Sequence, residues 1–137
     1  MPTVVRKKPA DKSRTVAAAD AAIGVGAYPA VAVSAAQLRT RLRMSQPVFA
    51  RLLAVSTRSV ANLEAGVAPT EALARRLTEL DRLITALSEV VAAELLGDWL
   101  QRPNPAFDGL KPLEVVERGE SDRLWAMVYF LRSGVPA

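Results

Sequence analysis

The chain has 137 residues, half of them apolar and 5% aromatic, with a formal charge of +4 and neither cysteine nor histidine. These absences exclude disulfides, thiolate chemistry, Ser-His-Asp or Cys-His catalysis and zinc sites of the usual ligand types, and they permit a reducing cytoplasm. Ala, Leu, Arg and Glu dominate after residue 34, and no alternating strand pattern competes after residue 40, so the chain is predicted to be all-α. The charge is uneven: residues 1–43 carry eight Lys/Arg against two Asp, and residues 71–101 carry three Arg against six acids. A basic first third suits a phosphate backbone, and an ordinary solvated tail is the other reading.

Residues 1–33 read as a basic, Ala/Gly/Pro-rich extension, expected to be partly flexible. Arg6-Lys7-Lys8, Lys12 and Arg14 open it, and an Ala/Val/Gly-rich run follows. Asp20, the glycines and the prolines interrupt that run, so it is not read as a secretion signal. No stretch is long and apolar enough to span a membrane, and the expected location is the cytoplasm. Gly24-Val25-Gly26 lacks a third glycine and a following helix, so no nucleotide site is expected there.

Ser34 to Arg43 reads as a supporting helix with Leu38 and Leu42 inward. Arg39, Arg41 and Arg43 lie around its exposed sides, where they serve either phosphate contact or solubility. From Leu42 to Gly66 the spacing predicts two short helices joined by Ala54-Val55-Ser56. Ser45 and Ser56 are N-caps, Pro47 fits a first turn, and Gly66 suits a C′ position. Phe49, Leu52 and Leu53 share one inward face, as do Val60 and Leu63. Thr57, Arg58, Ser59 and Asn62 fall on the opposite side, as groove-facing candidates or as plain surface polarity.

Thr70 then caps a long helix whose apolar positions are Leu73, Leu77, Leu80, Ile84, Leu87 and Val91. A break is expected near Val91–Ala93. Glu71–Arg75 and Arg75–Glu79 have i,i+4 spacing on its outside. The stripe serves a monomer core or extends to a second subunit. Beyond it, Leu95, Leu96, Trp99 and Leu100 belong to a helical piece stopped by Pro103-Asn104-Pro105. Phe107 and Gly109 fall in a loop. Pro112 opens a short helix with Leu113 and Val116 inward, ended by Gly119. Ser121 is expected to cap a last helix closed by Gly134. In that helix Leu124, Val128 and Leu131 form one stripe and Trp125, Tyr129 and Arg132 an adjacent one. The second stripe is available to a partner, although Trp125 could equally fill the core.

The segment Gln46 to Ala65 resembles the Xre (phage repressor) type of helix-turn-helix, with Ala50, Val55, Val60 and Leu63 at matching places. The family usually has glycine where Ala54 stands, since that turn often needs a positive φ. The pattern Trp99-Leu100, Pro103-Asn104, Phe107, Gly109, Pro112-Leu113, Val116, Gly119, Val128, Leu131, Gly134 is similar to the C-terminal toxin-binding domain of Xre/MbcA/ParS antitoxins. Together the resemblances cover residues 38–137. They imply a helix-turn-helix domain over residues 34–91 and a toxin-binding domain over 92–137. The implied function is that of a type II antitoxin, not an enzyme, with no cofactor. Its partner would be a RES-domain toxin that consumes NAD or transfers ADP-ribose from it, and its C-terminal region would cover that toxin's active site. The helix-turn-helix would autoregulate the operon, with operator DNA bound by a homodimer within a larger complex. Gln46 looks like the family's phosphate contact, beside Thr57, Arg58, Ser59 and Asn62 as base readers. Trp125, Tyr129, Arg132, Gly134, Val135 and Pro136 are the toxin-binding candidates. The competing reading is a stand-alone repressor that dimerises through residues 92–137.

Overall fold

A computed structural model describes residues 33–134. Nearly all of the N-terminal extension, with Gly24-Val25-Gly26, falls outside the described residues, as do Val135 and Pro136. The fold is all-α, with seven α-helices and no strand among the described residues. In chain order they are α1 (Ala35–Leu42), α2 (Gln46–Leu53), α3 (Thr57–Glu64), α4 (Glu71–Leu87), α5 (Leu96–Leu100), α6 (Pro112–Glu117) and α7 (Ser121–Ser133). Single 3-10 turns occupy Ala93–Leu95 and Pro105–Phe107.

The first four helices start in one way. The hydroxyls of Ser34, Ser45, Ser56 and Thr70 each accept the backbone N–H three residues on, at 3.1–3.4 Å. Their apolar faces meet in a core that includes Leu38, Leu42, Phe49, Leu53, Val60, Leu80 and Ile84. Helix α2 packs on α3 and on α4. The C-terminal helices then fold back over this group, α5 on α1, α6 on α2 and α7 on α4. Leu96, Leu100, Phe107, Leu113, Val115, Leu124 and Val128 thereby join the same core, which runs unbroken past residue 91.

Several expectations shift. Helix α4 stops at Leu87, four residues before the expected break. The Leu87 carbonyl accepts the N–H of both Val90 and Val91, and the chain turns there to bring residues 93–100 across α1. The six buried residues of α4, from Leu77 to Leu87, are covered within the chain itself. Ser121 is the first residue of α7 instead of its cap; Glu120 precedes the helix and accepts from Arg123 at 3.0 Å. Val115 is fully buried, on the edge that α6 turns toward α2, and Val116, expected inward, is half-buried against the same core. Leu131 is 53% exposed, since the last turn of α7 runs past the core that holds Leu124 and Val128. The Glu71–Arg75 and Arg75–Glu79 pairs do not form.

Helices α5 and α1 meet backbone to backbone. Gly97 is buried, and a Cβ built there would stand 1.9 Å from the Leu42 carbonyl oxygen. Backbone meets backbone at that point, and no rotamer change can relieve the clash. Gly97→Ala is expected to destabilise the protein by at least the ~1–3 kcal/mol typical of overpacking. A fall in the urea midpoint at unchanged m-value would show it.

Candidate functional site

The turn between α2 and α3 is a Schellman-type cap. The N–H of Val55 bonds the Ala50 carbonyl at 3.1 Å, and the N–H of Ala54 bonds that of Arg51 at 3.2 Å. The motif puts Ala54 in the left-handed region, at φ 58° and ψ 44°. The same pair of bonds closes α3 around Gly66 and α6 around Gly119, so Ala54 holds a place that glycine fills elsewhere in this chain. Arg76 of α4 reaches this turn. Its Nη1 donates to the carbonyls of Ala54 at 3.1 Å and Leu53 at 3.4 Å. A cation thus satisfies the last carbonyls of α2, where the helix dipole favours positive charge.

Glu64, the last residue of α3, joins three segments. Its carboxylate accepts from Arg39 Nη2 of α1 at 2.8 Å and from Gln46 Nε2 of α2 at 3.0 Å. Arg39 also donates to the Met44 carbonyl at 3.1 Å, which ties down the α1–α2 connection. The Arg39 hydrogen bonds, with help from Gln46, hold the Glu64 carboxyl below the usual glutamate range. Arg39 is therefore a structural cation and only half exposed, not a free side chain on the outer face. Gln46 stands at the first position of α2 with its amide turned toward Glu64.

Across from this network, α3 presents its polar side. Thr57, Arg58 and Asn62 are exposed. Ser59 is half-buried, and its hydroxyl lies 3.1 Å from that of the capping Ser56. Val60 is fully buried and Leu63 half-buried beneath them. Arg58 and Asn62 make no side-chain hydrogen bond or ion pair among the described residues.

The C-terminal segment is fixed by its own small network. Asn104 accepts the Ala106 N–H through Oδ1 at 2.9 Å, and its backbone N–H bonds the Leu110 carbonyl at 3.0 Å. This curls the loop so that Phe107 is buried, edge-on to Trp99 at 6.5 Å and beneath the Arg123 guanidinium at 5.6 Å. On α7, Leu124 and Val128 point into the core. Trp125 is 40% and Tyr129 69% exposed. Trp125 also lines a groove of about 530 Å³ with Leu53, Arg76 and Val116. Arg132 is exposed and pairs with Glu89 at 3.2 Å, and Gly134 ends the helix with φ 71°.

A bidentate pair spans the chain. Arg51 of α2 donates through Nε and Nη2 to Glu117 of α6, both at 2.7 Å. This bond, the Glu64 network and the Arg76 clamp all escape sequence reading, because their partners lie 18 to 66 positions apart. Only the placement of Arg and Glu on neighbouring faces could have hinted at them. Among the described residues no carboxylates cluster as a metal site, and no helix is long and apolar enough to cross a membrane.

Comparison with known proteins adds three findings. Residues 86–133 match the antitoxin Xre/MbcA/ParS C-terminal toxin-binding domain. The chain is 32% identical over 96 residues to the mycobacterial cidal antitoxin MbcA of Mycobacterium tuberculosis and of Mycobacterium bovis, across 69% of this chain and 85% of those relatives. It also superposes on the crystal structure of the M. tuberculosis MbcT-MbcA toxin-antitoxin complex with a TM-score of 0.63 at 29% identity. That match covers 80% of this chain and all of the matched one.

Two predictions follow from the geometry. The left-handed penalty at Ala54 is about 1–2 kcal/mol, partly offset by the ~0.4–1 kcal/mol that glycine costs through the unfolded chain. Ala54→Gly is thus expected to stabilise by up to about 1 kcal/mol, read as a raised urea midpoint. Glu64 has a lowered folded pKa, so its contribution is full above the ordinary glutamate pKa of about 4.3 and is lost as pH falls through the folded value. The gap in unfolding free energy between wild type and Glu64→Gln should therefore be wide at neutral pH and narrow in acid. A gap that stays constant with pH would contradict this.

Proposed function

As the chain belongs to the Xre/MbcA/ParS family of antitoxins, we propose that it neutralises a RES-domain, NAD-consuming or ADP-ribosylating toxin by covering that toxin's active site, and that it represses its own operon by binding operator DNA. It works by binding, in the cytoplasm, as a homodimer within a larger complex. Residues 34–91 serve DNA and residues 92–137 serve the toxin.

The observation that carries the toxin reading is the exposed face of α7. Trp125 and Tyr129 stay uncovered beside fully buried Leu124 and Val128, inside the segment that matches the toxin-binding domain. Large aromatics left open on a helix are the groups that become binding anchors when a partner covers them. The solved complex that this chain resembles pairs MbcA with a toxin, MbcT. Arg132 can exchange its exposed Glu89 partner for a carboxylate of the toxin at little cost. Gly134, Val135 and Pro136 are proposed as further toxin contacts.

The DNA reading rests on the α2–α3 pair as a helix-turn-helix. A two-fold dimer would present two copies of α3 to successive major grooves. Gln46 lies at the α2 N-terminus, where a phosphate is favoured. Thr57 and Arg58 at the start of α3, and Asn62 one turn further along, are exposed, with Ser59 packed at its cap.

The two activities are separable. Trp125→Ala with Tyr129→Ala is expected to weaken toxin binding by about tenfold or more, and to lose rescue of toxin-expressing cells while operator retardation persists. Arg58→Ala is expected to lose operator retardation while rescue persists. A double variant that still rescues growth at equal expression would overturn the toxin assignment. Unchanged operator affinity of Arg58→Ala would overturn the DNA assignment.

A further inference from the structure

The outward face of α3 carries a narrower statement about the DNA it takes. We infer that each half-site is read by two side chains only, Arg58 on a guanine and Asn62 on an adenine about two base-pair steps away. This rests on the DNA-binding reading above. Three observations lead to it. First, of the polar candidates on this face, only Arg58 and Asn62 both combine a planar side chain capable of bidentate base contact with exposure and freedom from partners among the described residues. Second, Ser59 is half-buried, and its hydroxyl is turned to Ser56, 3.1 Å away, so it belongs to the helix cap. Thr57 is exposed but too short for a bidentate contact. Third, Arg58 and Asn62 are four residues apart on a helix held at both ends. The Ser56 cap fixes its start, and Glu64 with Arg39 and Gln46 fixes its last turn.

The spacing follows from the helix rise. Four residues advance about 6 Å along the axis, and stacked base pairs are about 3.4 Å apart, so the two contacts fall about two steps apart along the groove. Guanine offers O6 and N7 to the Arg58 fork. Adenine offers N6 and N7 to the Asn62 amide. Each pair should favour its base over the others by about 5- to 140-fold.

The test is selection of binding sites from a random double-stranded DNA library by the full chain, followed by the same selection with Arg58→Gln, Arg58→Lys and Asn62→Ser. The wild type is expected to enrich a half-site with guanine and adenine two steps apart. Arg58→Gln should change that guanine to adenine and leave the second position as it was. Arg58→Lys should keep the guanine. Asn62→Ser should relax only the adenine. Strong positions that are adjacent, or more than three steps apart, would overturn the inference. So would a variant that alters the wrong position, or strong positions that none of these variants alters. Enrichment of no sequence, together with no retardation of any DNA by the wild type, would overturn the DNA-binding reading itself and this inference with it. Non-specific retardation with no enriched sequence would leave DNA binding standing and remove the two-residue code.

Discussion

The contact on which the fold depends is the one between the α5 backbone and the end of α1. Helices α1 to α4 are short apart from the last, and their inward faces are built mostly from Leu, Ala and Val. A group of that size buries little apolar surface by itself. The chain adds to it by returning. Helix α5 seats on α1 where Gly97 meets the Leu42 carbonyl, and α6 and α7 then fall onto α2 and α4. Only a residue without a side chain allows that approach. Beside it, Leu96 and Leu100 are buried in the common core.

This return path explains how one small chain leaves two helix faces uncovered. The inward sides of α3 and α7 are committed to a single core, Val60 from one and Leu124 and Val128 from the other. Their outward sides are left free, polar on α3 and aromatic on α7. A partner that pulls on α7 acts on a helix packed against α4, and α4 in turn packs on α2, which carries the turn before α3. The Arg51–Glu117 pair makes a second link between α2 and α6. Both carboxylates that end a helix here, Glu64 and Glu117, have their pKa lowered by an arginine from another helix. Charge in this protein therefore orders helix ends as well as keeping the surface solvated.

The α2–α3 turn shows how one local cost is contained. A Schellman cap asks for a left-handed residue, and the chain supplies alanine. The strain is borne because the cap bonds remain intact, because Val55 packs against the core, and because Arg76 takes the two carbonyls that the turn leaves open. Glycine would be easier at that position. It would also free the turn that sets the direction of α3.

Much of this was legible in the residues. Three of the four caps, Ser45, Ser56 and Thr70, the inward rows Leu38/Leu42 and Phe49/Leu52/Leu53, and the helix end at Gly66 follow from local chemistry: hydroxyls reach the N–H three residues on, apolar side chains repeat at the helical period, and a tight helix end needs a left-handed residue. The left-handed place of Ala54 came from the helix-turn-helix resemblance. The Trp99–Gly134 pattern likewise pointed to the antitoxin family. What only the tertiary structure decided are matters of distant partners. It ended α4 at Leu87, because the chain had to turn back over α1. It buried Val115 and uncovered Leu131, because neighbouring helices cover only part of each apolar row. It took Arg39 and Gln46 into the Glu64 network and Ser59 into the α3 cap, and it left Arg58, Asn62, Trp125 and Tyr129 open. A helical period shows which residues share a face, but it cannot show which other helix, if any, will cover that face.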